Sequence, residues 1–204
     1  RLSRGQVRLR RWASALCGVL STVLVECSLP GLGAGNRGFE EGSKRMPKVL
    51  IAYYSRSGNT EQMALLVKEG ASAAGAEVLC RSVGELKPAD LLDCDAIILG
   101  SPTYYGAPAA ELKKLIDESV KYHGRLVGKV GGAFASAGGI GGGAETTIRS
   151  LIDALLIHGA IVEGTHQGGH YGPVAVGKPD ERAAKECRSL GERVARLAAR
   201  LARA

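Results

Sequence analysis

Val49–Thr60 reads VLIAYYSRSGNT: six apolar or aromatic residues, then a sudden cluster of Ser55, Arg56, Ser57, Gly58, Asn59 and Thr60. An unbroken apolar run of this length, with no polar residue at every second position, suits a strand buried on both faces. Such strands belong to parallel sheets covered by helices. The next residues, 60–74, carry a helical pattern, so the polar cluster is a strand-to-helix turn.

The same alternation runs to the end of the chain. KVLIAYY (48–54), AEVLCRS (76–82), CDAIILG (94–100), KVGGAFAS (129–136) and AIVEG (160–164) read as strands. Helical patterns occupy 60–74, 108–121, 144–158 and 179–203, with a brief helix at Pro88–Leu92 in the short second crossover. The closing helix places Ala183, Cys187, Leu190, Val194, Leu197 and Leu201 at i, i+3 or i+4 spacing. These elements predict an α/β fold: a doubly wound, five-stranded parallel sheet with helices on both faces. Ligands of such sheets bind beyond the carboxyl ends of the strands. The loops to inspect are therefore Ser55–Thr60, Ser101–Gly106, Ser136–Gly143 and Gly164–Gly172.

Composition narrows the function classes. Of the formal charge of +7, residues 1–45 hold +5, from Arg1, Arg4, Arg8, Arg10, Arg11, Arg37, Lys44 and Arg45 against Glu26, Glu40 and Glu41. The body is nearly neutral and its charges alternate in sign along helices, which argues against nucleic-acid binding. Cys17, Cys27, Cys80, Cys94 and Cys187 show neither CxxC nor metal-type spacing with histidine, as expected of reduced thiols in a cytoplasmic setting.

Residues 1–45 admit three readings: a secretory signal with an apolar stretch at Ala13–Val25, an Arg-rich transit segment, or a segment upstream of a start at Met46. The third is preferred, because Met46-Pro47-Lys48 leads straight into the first strand. The expected organisation is an extension over 1–45, disordered or weakly helical, and one domain over 46–204. The apolar stretch is about half of the ~20 residues that span a bilayer, so no membrane anchoring is expected.

SRSGNT combines three hydroxyls, an amide and a turn glycine at a helix start, where unpaired amides favour an anion. It lacks the lysine and length of a Walker loop, and the Cys and Arg of a cysteine phosphatase. Neutral donors of this kind suit a terminal phosphate monoester. The same string could also be an ordinary helix start capped by Ser57 or Asn59. SPTYYGAP follows the third strand with Pro102, Thr103, adjacent Tyr104 and Tyr105, and Gly106; SAGGIGGG follows the fourth and is almost free of side chains. Aromatic faces beside bare backbone make a slot for a planar heterocycle.

Together these motifs resemble the flavodoxin-like FMN-binding family, in particular its NAD(P)H:quinone oxidoreductase branch (tryptophan-repressor-binding proteins and related FMN reductases). The resemblance rests on SRSGNT, SPTYYG, SAGGIGGGAETTI, His158 in LIHGAIV and Tyr171-Gly172, and it covers residues 47–204. It implies that Ser55, Arg56, Ser57, Gly58, Asn59 and Thr60 hold the ribityl phosphate of FMN. It implies further that Pro102, Thr103, Tyr104, Tyr105 and Gly106 flank the ring. Ser136, Ala137, Gly138, Gly139, Ile140 and Gly141 would line its edge, and His158 would approach from the last helix before the final strand. His158 also fits a plain C-terminal helix residue favoured by the dipole. The chain departs from the family at Ser57, where an aromatic is usual, in the missing insertion after strand two, and in KYHGRLVG, where Tyr122 or His123 stands in a Trp-bearing segment.

The implied activity is hydride transfer from NAD(P)H to a quinone through FMN, by a ping-pong mechanism, in a homo-oligomer. The alternatives are a flavodoxin-type electron carrier and a module without flavin. Carriers are strongly acidic around the flavin, whereas this body nets +2, so an enzyme admitting anionic nicotinamide cofactors is favoured.

Overall fold

A computed structural model describes residues 45–202. The expectations for residues 1–44 lie outside the described residues. The chain runs β1 (Lys48–Tyr53), α1 (Asn59–Ala73), β2 (Glu77–Ser82), β3 (Ala96–Tyr104), β4 (Ala107–Pro108), α2 (Ala110–Glu118), β5 (Val130–Ala137), α3 (Ala144–Ile157), β6 (Ile161–Val162), β7 (Val174–Val176) and α4 (Glu181–Leu201). Short 3₁₀ turns at Val83–Glu85, Pro88–Leu91 and Ser119–Tyr122 complete it.

The sheet order is β2-β1-β3-β5-β6, with every pairing along it parallel. β1, β3 and β5 are central and almost wholly buried, which is why they carry no polar face, whereas β2 is an edge strand whose residues alternate in exposure. One core layer joins β1, β3 and β5 to α1 and α4 through residues such as Ile51, Met63, Val67, Phe134 and Val194. The other joins the sheet to α2 and α3 through Leu50, Ile97, Leu112, Ile148 and Leu151. α1 and α4 cross at glycines on both helices. A Cβ on Gly70 would fall 1.9 Å from the Arg188 carbonyl oxygen, and one on Gly191 would fall 2.0 Å from that of Val67.

Three boundaries differ from expectation. β3 continues four residues past Gly100 because Thr103 and Tyr104 pair antiparallel with Pro108 and Ala107 of β4. The expected strand 160–164 ends after Val162, and its place beside β5 is retaken only at β7, which pairs with Ala135–Ala137. In α4, Leu201 is exposed, while Gly191, Ala195 and Ala198 join the buried face. Small residues serve there because the helix lies so close to α1.

Candidate functional site

The loops after β1, β3 and β5 converge at the carboxyl ends of three adjacent strands. The turn from β1 to α1 is shaped by Gly58, which occupies the helix N-cap in the left-handed region (φ 85°). Its amide donates to Ser55 Oγ (3.1 Å). Neither Ser57 nor Asn59 is the cap, and no side chain satisfies the first-turn amides of α1. The capping alternative is thereby set aside: the positive end of a 15-residue helix is left without a protein acceptor. Arg56 and Ser57 are exposed around it.

Thr60 is buried, and its hydroxyl lies 2.9 Å from Ser136 Oγ at the end of β5. That bond ties the first loop to the third. The second and third are tied as well. Thr146 Oγ1, on the first turn of α3, donates to the Gly106 carbonyl (2.7 Å). A Cβ on Gly143 would meet Gly106 Cα at 2.8 Å, so the two loops touch backbone to backbone. Gly143, like Gly58, is a left-handed N-cap without a side-chain cap.

Between β3 and β4 the chain turns in two residues, Tyr105 (φ 51°) and Gly106 (φ 76°), both with the positive φ of a primed hairpin. Glycine adopts that conformation freely; tyrosine in it costs on the order of 1 kcal/mol. The Tyr105 ring gains no burial in return and stands fully exposed, with Tyr104 partly exposed beside it. Thr103 Oγ1, one residue earlier, is buried and has no hydrogen-bond partner. Ser101, by contrast, is satisfied: its hydroxyl accepts from Ala109 N and donates to the Pro102 carbonyl, which anchors the start of α2. In the third loop Ala137 is buried, whereas Gly138, Gly139, Ile140 and Gly141 are exposed, and nothing stands within 4 Å of a Cβ built on the three glycines.

His158 is not brought to these loops. α3 runs antiparallel to β5, and its 14 residues carry the chain about 21 Å back toward the amino ends of the strands. There His158 Nε2 lies 2.8 Å from Ser119 Oγ. Ser119 spends its proton on the Ile116 carbonyl (2.6 Å), so Nε2 must donate. Nδ1 is then an acceptor, buried and without a partner. Burial, and the neighbouring His123 ring at 6.0 Å, lower the His158 pKa below the ordinary histidine value. The dipole reading of this residue, which needs an imidazolium, does not describe it either. Tyr171 is on the loop between β6 and β7, its ring 5.4 Å from the Arg149 guanidinium, and Gly172 packs on the β5 backbone at Ala133. Sequence reasoning missed the Thr60–Ser136 and Thr146–Gly106 ties, because neither pair is close in sequence.

Two tyrosines stand at the end of β1. Tyr53 donates to Glu61 (3.2 Å), and its pKa is pushed up to about 12, by burial first and by Glu61 second. The Tyr54 phenol is raised by its hydrogen bond to Glu111. Both stay protonated at neutral pH. Among the described residues no cluster of His, Cys, Asp and Glu could hold a metal ion, and no helix is long and apolar enough to cross a membrane.

Comparison with known proteins agrees with this geometry. The NADPH-dependent FMN reductase family matches residues 81–168. The chain is 38% identical over 198 residues to a NAD(P)H dehydrogenase (quinone) of Sinorhizobium fredii, covering 77% of this chain and 100% of the relative. It belongs to the flavodoxin-like NAD(P)H dehydrogenase (quinone) family. It is also 41% identical over 159 residues to a flavodoxin of Aquifex aeolicus, covering 74% of this chain and 86% of that one. Among solved structures, the flavodoxin, WrbA-like protein of Agrobacterium tumefaciens superposes with a TM-score of 0.64 at 28% identity, over 74% of this chain and 97% of that one.

The residues present fit a phosphorylated planar group on their own evidence. Uncapped amides and hydroxyls lie at one end, and the orphaned Thr103 hydroxyl, exposed aromatic rings and bare glycine backbone lie at the other.

Proposed function

We propose that the chain is an FMN-dependent oxidoreductase that passes hydride from NAD(P)H to quinones or similar acceptors, in alternating half-reactions at one shared place. Membership of its family makes it a flavin oxidoreductase. The observation that carries the reading is the uncapped start of α1, tied through Thr60 and Ser136 to the glycine loop and flanked by a strained, outward tyrosine.

FMN, when bound, would supply the two-electron redox chemistry between the nicotinamide and the acceptor. The chain supplies position. Ser55, Arg56, Ser57, Gly58, Asn59 and Thr60 hold the phosphate by hydroxyls and first-turn amides. Tyr104 and Tyr105 offer ring faces, with Gly106 shaping the turn that aims them and Pro102 in the strand that leads to it. Thr103 and the backbone of Ser136–Gly141 provide edge donors, which favour negative charge developing on a planar partner. His158 stands outside this set and acts in packing.

No carboxylate falls within Ser55–Thr60, Ser101–Gly106 or Ser136–Gly143, and Arg56 is exposed beside the first. That balance admits an anionic nicotinamide cofactor and favours an enzyme over an electron carrier. Thiol chemistry has little part. Cys80, Cys94 and Cys187 are free, and burial raises them to about 11, 11 and 12, so thiolates are scarce at neutral pH. A homo-oligomer in a cytoplasmic setting completes the proposal.

Initial rates with NADH or NADPH against benzoquinone test it. Parallel double-reciprocal lines are expected, and intersecting lines would reject the shared place. A yellow protein that consumes neither nicotinamide would instead be a flavodoxin-type carrier.

A further inference from the structure

The loop between β6 and β7, residues 163–173, is held at both ends by one face of α4. Arg193 Nη1 donates to the carbonyls of Glu163 (3.2 Å) and Gly164 (3.3 Å) at its start, and Arg182 Nη2 donates to the Val174 carbonyl (2.9 Å) just past its end. Between these anchors the loop and helix border an open cavity of about 250 Å³, lined by Thr165, Gln167, Arg182, Lys185, Glu186 and Arg193 among others. Gly168 and Gly169, with φ of 54° and 36°, bring the backbone against Glu186; a Cβ on the first would fall 2.8 Å from its Oε1.

The charges in this cavity do not cancel. Arg182 and Glu186 neutralise each other at 2.8 Å. Lys185 is exposed and forms no ion pair among the described residues. Arg193 has Glu163 only at 3.7 Å, and its buried Nε has no acceptor at all. Thr165 Oγ1 accepts from Gln167 N (3.1 Å), which leaves its own proton free to donate. The lining thus carries three cations, Arg182, Lys185 and Arg193, against the single carboxylate of Glu186, and Lys185 and the Thr165 proton are left without an acceptor among the described residues.

We propose that this cavity, separate from the loops that hold the cofactor, binds a phosphate-sized oxyanion, either free or at the end of a phosphorylated small molecule. Arg193 and Lys185 hold its charge and Thr165 donates to it. The size and mixed polarity suit a compact head group better than an extended apolar ligand.

The test is a titration of isotope-labelled full-length protein, saturated with FMN, by inorganic phosphate and separately by glycerol 3-phosphate. The backbone amides of Thr165–Gly169 are followed by NMR and read apart from those of Ser57–Thr60. Saturable shifts at 165–169 are expected with at least one probe. Tighter binding of the ester supports an esterified ligand, and equal binding supports the free ion. Lys185→Glu, at an exposed position, should weaken binding about ten-fold or more, as should Arg193→Gln, while Ser57→Ala leaves these shifts unchanged. Absence of saturable shifts at 165–169, or wild-type affinity in Lys185→Glu, overturns the proposal.

Discussion

α1 and α4 pack against each other on one face of the sheet, yet they begin in opposite ways. α4 starts at Asp180, whose carboxylate accepts from Ala183 N at 2.7 Å, an ordinary side-chain cap. α1 starts at Gly58, which offers no side chain, and its first amides find no protein acceptor. One helix start is closed by a side chain and the other is left open. The difference extends to the surroundings. At the end of the neighbouring strand β3 stand a tyrosine in a left-handed turn and a buried hydroxyl without a partner. Costs that a fold normally avoids are concentrated where a cofactor can offset them.

The largest expected effect breaks the open start. Ser57→Ala with Thr60→Ala removes two hydroxyl donors from the phosphate loop, at roughly 1.5 kcal/mol or more each when the acceptor is charged. FMN affinity should fall about a hundred-fold, measured by fluorescence titration of the apo-protein; undiminished affinity would mean that the phosphate is held elsewhere.

Asp180→Ala breaks the closed start. It should cost about 1 kcal/mol in chemical denaturation and leave FMN affinity untouched. Loss of cofactor binding in this variant would show that the two starts are coupled through the α1–α4 contact. Tyr105→Gly relieves the positive φ, and the apo-protein should gain up to about 1 kcal/mol, while FMN binds more weakly. If binding is unchanged, the strained ring has no part in the site.

The smallest effect lies at the opposite end of the sheet, where His158 holds an orphaned nitrogen of its own. Its pKa is lowered in the folded protein. Its contribution to stability is therefore present above the unfolded value of roughly 6.5 and is lost as pH falls through the lower folded value. A His158→Gln variant should show a shallower decline in thermal midpoint over that acid range. An unchanged slope would place the acid sensitivity on other groups.

Much of this was legible in the chain itself. The central strands were readable because burial on both faces forbids polar alternation, and the helix of α4 because its stripe is periodic. Which loops lie at the carboxyl ends of the strands followed from strand direction alone. What escaped was set by contacts distant in sequence. The β3–β4 hairpin depends on Pro108 and Ala107 returning to Thr103 and Tyr104. The split last strand depends on a loop whose start is held by Arg193 of α4 and whose end returns to β5 at Gly172 and Pro173. His158 resembled a site residue because its neighbours in sequence match a family pattern; the direction of α3 puts it elsewhere.

By itself, then, the order of residues determined an α/β sheet, which loops lie at the carboxyl ends of its strands, and the neutral, hydroxyl-rich character of the loop after β1, since these depend on local pattern and strand polarity. Only the tertiary structure decided which polar groups stay unsatisfied: Ser101 is answered by Ala109 and Thr103 by nothing, while Thr60 and Ser136 share one bond and keep one proton between them free. A hydroxyl's partner is chosen by packing between elements far apart in the chain, and that choice separates a satisfied hydroxyl from an orphaned one.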